Sequence, residues 1–311
     1  MSRRGAEKQV VPEAEFTSYY GRPVLKQPVW RAPDVPGYFF LGGLAGASSA
    51  LALCSQRAGY PELARAAKLG AAGAVSLSMA ALVHDLGRPA RFLNMLRVFK
   101  PTSPMSVGSW LLGGYGPAAA GAAICAVTGR LPRAGLAAAA AAAALGPAVA
   151  TYTAVLVCDT AIPAWHDAHV QMPYLFAGSS AAAAGGLGML AIPPGQASPA
   201  TGLAVLGAAA ELTAGHLLTR RLGAAAEPYR SGKAGTLMRA GKILTGCGLA
   251  TALAARGRYR GVAALSGAAL LAASAVTRFG VFEAGRACAA DPKYTVGPQR
   301  DRISGRDLPG L

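Results

Sequence analysis

Eight apolar segments alternate with polar connections along the chain, and each approaches the roughly 20 residues that a helix needs to cross a bilayer. Strict apolar–polar alternation, which a membrane-spanning barrel would require, is missing. The pattern therefore predicts an all-α polytopic membrane protein with eight transmembrane helices. The second segment is short unless Lys68 snorkels at its start, and the seventh is interrupted by Lys242. The segments cover 37–56, 69–84, 106–128, 134–159, 173–192, 200–219, 239–255 and 261–281.

A polar connection at 160–172 divides the segments into two groups of four. We expect two four-helix bundles, 37–159 and 173–282, with a polar tail at 283–311. The arm at 1–36 carries four prolines after Tyr19, which disfavour a long helix. We predict that it lies extended on the membrane surface; a disordered tail is the alternative.

Composition supports a membrane location, since 53% of the residues are hydrophobic and only 14% are charged. Soluble domains carry about 25% charged residues. A net charge of +16 would indicate nucleic-acid binding in a soluble protein. Here the positive residues lie between apolar segments, where membrane lipid and topology account for them, and no nucleic-acid partner is expected.

The distribution of positive residues predicts the orientation. Twenty-one Lys and Arg lie on the side of the two termini and seven on the opposite side, with Lys68 and Arg278 left out as helix-edge residues. Positive residues accumulate in cytoplasmic loops, so both termini are expected to be cytoplasmic in a plasma-membrane protein. The first 34 residues show no apolar core of a signal peptide, so the first segment should act as the insertion signal.

The cysteines and histidines argue against a resident metal cofactor. The five cysteines are scattered without a CxxC pair, so we expect neither an iron–sulfur cluster nor zinc in this chain. Paired histidine ligation of two haems needs four membrane histidines. Only His84 and His216 lie near apolar segments, and they fall in different halves, so no haem is expected.

Polar residues that a lipid environment makes costly collect at the cytoplasmic ends of the first four segments. A quinone would suit such a pocket, because its two carbonyl oxygens need hydrogen-bond donors and its reduction needs two protons. Asp85 and Arg88 could instead form a structural helix-end pair, the tyrosines could be packed aromatics, and Trp110 could be an interfacial belt residue. The candidates for proton supply are Asp85, Tyr152 and Asp159, and those for quinone binding are Tyr38, His84, Arg88, Trp110 and Tyr115.

In the second half, Glu211 and His216 share the sixth segment, five residues apart. They are candidates for a proton route. The alternative is a buried ion pair or an ordinary satisfied polar contact.

Four motifs carry a resemblance to a known family: YYGRPVLKQPVW from Tyr19, DLGRPARFLNMLRVFKPTSPMSVGSW from Asp85, MPYLFAGSSAAAAGG from Met172 and DPKYTVGPQRDR from Asp291. The chain resembles the NrfD/PsrC family of membrane-anchor subunits of polysulfide, nitrite, formate and related oxidoreductases. The resemblance implies an eight-helix subunit without a permanent cofactor that exchanges electrons with menaquinone or ubiquinone. It also implies two partners, a ferredoxin-like four-cluster iron–sulfur subunit and a molybdopterin catalytic subunit.

The inward orientation fits a formate dehydrogenase-like complex, and the substrate chemistry would belong to another chain. Two other functions stay open. A purely structural anchor would lack quinone exchange, and a transporter-like subunit that translocates ions or protons would need polar residues at mid-membrane in both halves.

Overall fold

Eight long helices make up most of the part of the chain that the structure describes. The structure, a computed structural model, describes residues 24–87, 90–255 and 259–297. The long helices are α1 (Asp34–Arg57), α2 (Pro61–Asp85), α3 (Pro104–Thr128), α4 (Pro132–Cys158), α5 (Met172–Ala191), α6 (Ser198–Arg221), α7 (Gly232–Ala255) and α8 (Arg260–Ala290). Three short helices lie in the connections, at Ala90–Met95, Pro163–His166 and Glu227–Arg230.

Seven of these helices are long and apolar enough to cross a membrane. The remaining one, α7, carries Lys233, Arg239 and Lys242, and it packs between α6 and α8. The chain is therefore an all-α, multi-pass membrane protein, as the hydropathy pattern predicted. Successive helices run in opposite directions, so the start of α1 and the end of α8 lie on one side, which we call the proximal face.

Several helices extend beyond the apolar segments that predicted them. α2 begins at Pro61, eight residues before the predicted start, so Lys68 lies within the helix and its Nζ donates to Gln56 Oε1 at 2.6 Å. The eighth predicted segment, which ends at 281, is also too short, since α8 continues to Ala290. Hydropathy marks only the apolar part of a helix, whereas the backbone hydrogen bonds continue into the polar ends.

By their contacts the eight long helices fall into two rings of four. In the first bundle, α1 packs on α2 and α4, and α3 closes the ring between them. In the second bundle, α5 packs on α6 and α8, and α7 closes the ring. The bundles meet along α1, which contacts α5 and α8, while α4 also contacts α5. The junction is therefore built from the central helices of the two rings.

Small residues allow these helices to approach closely. Gly46 of α1 lies against the backbone of Gly146 of α4, and a Cβ on either residue would overlap the other helix. Gly186 and Gly267 make the same kind of contact between α5 and α8. Helices in lipid associate through van der Waals packing rather than the hydrophobic effect, so small residues at the crossings let the backbones touch. This explains the abundance of Ala and Gly.

Candidate functional site

A narrow cleft opens at the proximal face of the first bundle. The start of α1, the end of α2, the start of α3 and the end of α4 surround it, and the segment before α1 covers one side. Most of its lining is apolar, with a few polar groups, as is usual for small-molecule sites. The lining residues are Trp30, Val35, Tyr38, Phe39, Leu82, Asp85, Leu86, Met95, Met105, Ser109, Tyr152 and Leu156.

Tyr152 supplies a hydroxyl that is buried yet lacks a hydrogen-bond partner in the described part of the chain. Its ring packs against Gly108 of α3, where a Cβ would overlap the ring. The ring of Tyr38 meets it edge to face, with 6.3 Å between the centroids. Because a buried hydroxyl without a partner costs about 1–3 kcal/mol, a ligand acceptor in the cleft would relieve this cost.

Asp85 is the last residue of α2 and lies at the cleft lining. Its Oδ1 accepts a hydrogen bond from the backbone N–H of Arg31 at 3.2 Å. The segment before α1 is thereby tied across the end of α2. A carboxylate in this position can accept or release a proton close to whatever occupies the cleft.

Trp30 forms one wall of the cleft and was not among the residues selected from the sequence. It stacks on Trp165, with ring centroids 5.7 Å apart and planes at 28°. It also meets Phe39 edge to face at 6.4 Å. The signal that could have found Trp30 was present in the sequence, since it is an aromatic residue a few positions before the first apolar segment.

Trp165 is fully buried and is held by specific hydrogen bonds. Its Nε1–H donates to the carbonyl oxygen of Val281 at 2.8 Å, and its ring covers Gly285. The neighbouring carbonyl of Ala164 accepts a bond from Tyr229 Oη at 2.9 Å. Burial raises the pKa of Tyr229 well above its usual range, so this hydroxyl stays a donor. Trp165, which is held by residues of the second bundle, thus supports Trp30 in the wall of the cleft of the first bundle.

Two predicted binding residues near the cleft face other partners. His84 Nδ1 lies 2.9 Å from Asp34 Oδ2, joining the end of α2 to the start of α1, and its side chain is 76% exposed. Trp110 is 44% exposed, and its Nε1–H donates to Val98 O at 3.3 Å. Neither side chain lines the cleft. Arg88 lies outside the described residues.

Tyr115 and Asp159 also lie away from the cleft. Tyr115 is fully buried deeper in the first bundle, where its hydroxyl and that of Ser49 are 2.8 Å apart. Asp159 follows the last residue of α4 and is exposed. Of the eight quinone-site candidates chosen from the sequence, the structure brings together Tyr38, Asp85 and Tyr152 in the cleft.

Glu211 lies inside the second bundle and is almost fully buried. Its Oε1 accepts from Thr277 Oγ1 at 2.9 Å and its Oε2 from Thr245 Oγ1 at 3.3 Å. A very small cleft adjoins it and is also lined by Lys242. His216 is exposed on another side of α6, so the structure does not place the two predicted proton-route residues together.

Arg278 is the second functional candidate that the sequence did not reveal. It was expected at a helix edge, but it is fully buried at the junction of the bundles. Its Nη2 donates to Phe176 O at 2.8 Å and Ser180 Oγ at 3.0 Å, and its Cζ lies 3.8 Å from the Phe176 ring centroid. Gly43 leaves the space for this contact, since a Cβ there would overlap Ser180 Oγ.

A comparison with known protein families shows to which family the chain belongs. The family model described as polysulphide reductase, NrfD, matches residues 24–197, which is more than half of the chain. The chain belongs to the NrfD family. The resemblance found in its motifs is confirmed, and the NrfD match covers the first bundle, the loop after it and α5. No curated protein matched the chain. The cleft therefore lies inside the part of the chain that defines the NrfD family, and membership is consistent with a membrane anchor of a redox complex.

Proposed function

We propose that this NrfD-family chain binds a quinone in the cleft of the first bundle and passes electrons between it and an iron–sulfur partner. The unpartnered hydroxyl of Tyr152 carries the proposal, because it is a buried donor with no acceptor in the described protein. A quinone carbonyl oxygen would supply that acceptor. Quinones are also flat and apolar, in keeping with a lining dominated by side chains such as Val35, Phe39 and Leu156.

The roles of the chain's own residues follow from their positions. Tyr152 would donate to one carbonyl oxygen of the ring, and Tyr38 would pack at the edge of the ring beside it. Asp85 would exchange protons with the water at the proximal face, since it lies at the end of α2. When bound, menaquinone or ubiquinone would supply the two-electron redox chemistry. Trp30 would separate the ring from the protein surface.

The electron donor or acceptor would approach from the proximal face. A second groove, of about 820 Å³, lies there between residues 25–30 and 160–162, and Trp30 and Trp165 line it as well. Trp30 therefore belongs to both the cleft and this outer groove. We propose that a ferredoxin-like iron–sulfur subunit binds over this groove and is itself served by a molybdopterin catalytic subunit. This arrangement would bring a cluster close to the quinone ring.

We place this face in the cytoplasm of a plasma-membrane protein, because the positive residues are concentrated on the side of the termini. A formate dehydrogenase-like complex with an inward-facing catalytic subunit would fit this orientation. The partner surface and its side of the membrane can be tested together by labelling single cysteines at exposed positions in intact cells.

Binding of 2-methyl-1,4-naphthoquinone to the purified protein tests the proposal directly. Trp30 lines the cleft, so quenching of tryptophan fluorescence should report occupancy. Tyr152→Phe removes one hydrogen bond to the ligand, and we expect the Kd to rise about five-fold. Tyr115→Phe is the matched control, because it removes a tyrosine hydroxyl outside the cleft and should leave the Kd unchanged. Absence of binding by the unmodified protein would favour a purely structural anchor.

A second function, proton translocation, is favoured by one observation. Glu211 is a buried carboxylate that accepts hydrogen bonds from two hydroxyls inside the second bundle. Ionisable groups inside a membrane protein cost free energy, and those that are present commonly mark proton pathways. We propose Glu211 as a site that takes up and releases a proton during quinone turnover. His216, which is exposed, would act only at the surface end of such a route.

A further inference from the structure

A positive charge without a full set of partners lies beneath the quinone cleft. Arg278 is fully buried, yet its Nε and Nη1 have no hydrogen-bond partner among the residues that the structure describes. Its remaining donor, Nη2, is used by Phe176 O and Ser180 Oγ, both neutral acceptors. No carboxylate forms an ion pair with Arg278 in the described ranges. Its positive charge is therefore not neutralised by a direct ion pair within the described residues.

Two aromatic rings connect this charge to the cleft. The guanidinium carbon lies 3.8 Å from the ring centroid of Phe176, and that ring is 6.1 Å from the ring of Phe39. Phe39 lines the cleft and is fully buried. The charge thus lies within about 10 Å of the cleft wall. Little water can screen it there, because the intervening layer consists of buried aromatic side chains.

One carboxylate, Glu211, lies near the arginine without pairing with it. Thr277, the residue before Arg278, donates to Glu211, so the carboxylate and the guanidinium interact without touching. Glu211 accepts from two threonine hydroxyls rather than from Arg278, and Asp85 lies at the cleft lining. The side of the cleft formed by Phe39 is therefore within reach of the positive charge.

We propose that Arg278 determines ligand selectivity by favouring quinone-type ligands that carry a negative charge on the ring oxygens. This inference rests on the proposed quinone site. Arg278 does not touch the ligand; it acts through its field across Phe176 and Phe39. Neutral quinones bind by packing and by the bond to Tyr152, whereas anionic quinones gain an additional electrostatic attraction.

A pair of probes that differ in charge separates this effect from ordinary packing. 2-Hydroxy-1,4-naphthoquinone is ionised at neutral pH, whereas 2-methyl-1,4-naphthoquinone is neutral and of nearly the same shape. We compare the ratio of their Kd values in each variant of the full-length protein in detergent. Arg278→Gln should weaken the anionic probe about five-fold relative to the neutral one. Arg278→Lys, which keeps the charge, should change the ratio much less.

Arg260 offers a matched control on the same helix. It lies about 27 Å from Arg278 along α8, where its Nη2 donates to Leu190 O at 2.9 Å. Arg260→Gln removes an equal charge far from the cleft and should leave the ratio unchanged. Should Arg278→Gln fail to assemble, Ser180→Asp carries the test: it places a carboxylate at the position to which Arg278 Nη2 donates and should weaken the anionic probe relative to the neutral one.

The outcomes distinguish this inference from the proposed function. If both probes bind and Arg278→Gln, or in its place Ser180→Asp, shifts their Kd values equally or not at all, the selectivity role is overturned and the quinone site stands. If neither probe binds the unmodified protein, both proposals are overturned. A shift of the ratio by Arg260→Gln as large as that by Arg278→Gln would also overturn the selectivity role, since the effect would then be one of net charge.

Discussion

The rings of Tyr38 and Tyr152 meet edge to face across the cleft, 6.3 Å apart at an interplanar angle of 74°. Tyr38 belongs to the first turns of α1 and Tyr152 to the last turns of α4. Helix ends that are 114 residues apart in sequence therefore form one aromatic corner. This corner places the ring of Tyr152 at the cleft lining, with its hydroxyl buried and without a partner in the described part of the chain.

The position of the Tyr152 ring depends on Gly108. A Cβ at this residue would overlap the ring, so we expect Gly108→Ala to push it into the cleft and abolish most binding of 2-methyl-1,4-naphthoquinone. The cost in stability should be about 1–3 kcal/mol, as for other overpacked sites. Gly113→Ala on the same helix is the control, since its Cβ would lie 3.5 Å from Leu96, an ordinary contact. Equal binding by the two variants would contradict the assignment of Tyr152.

Asp85 can be tested without disturbing the cleft. Asp85→Asn keeps an oxygen to accept the bond from the Arg31 N–H but removes the titrating carboxylate. We expect quinone binding to persist and quinone reduction by the assembled complex to fall about a hundred-fold, as for loss of a general acid or base. Asp159→Asn, at an exposed residue outside the cleft, should leave the rate unchanged. Unchanged turnover in Asp85→Asn would reject its role in proton transfer.

Trp165, which is buried, should contribute more to stability than Trp110, which is exposed. Trp165→Phe removes the bond to Val281 O and leaves a cavity beside Trp30, which should lower the free energy of unfolding by about 2–4 kcal/mol. Trp110→Phe makes the same chemical change at a residue that is 44% exposed and should cost less than about 1 kcal/mol. Thermal unfolding in detergent measures both. Similar losses of unfolding free energy in the two variants would show that Trp165 does not hold Trp30 rigidly in place.

Glu211 is the residue to test for proton coupling. Glu211→Gln keeps acceptor capacity toward Thr277 and Thr245 but cannot take up a proton in the same way. In proteoliposomes containing the complete complex, we expect quinone reduction to continue while proton translocation is lost. His216→Gln, at an exposed position, should cause a smaller change. Translocation that survives Glu211→Gln would exclude this carboxylate as the coupling site.

Much of the architecture was accessible from the sequence, because hydropathy alone identifies segments that must bury their backbone hydrogen bonds in lipid. It predicted the membrane class, the eight helices and their division at 160–172. It also selected Tyr38, Asp85 and Tyr152, since polar residues near the ends of apolar segments are few. The helix ends were less accurate, as α2 and α8 show, because polar turns continue a helix without an apolar signal.

The sequence by itself determined which segments are apolar enough to cross a membrane and which helix ends face the same side, since these follow from the length and order of apolar segments. Only the tertiary structure decided which side chains share a cavity. Trp30, Trp165 and Arg278 contact residues more than 90 positions away in the chain or belong to different bundles, and no local pattern records such contacts. Helix rotation and close packing at glycines such as Gly108 set those contacts, and both depend on the whole assembly of helices.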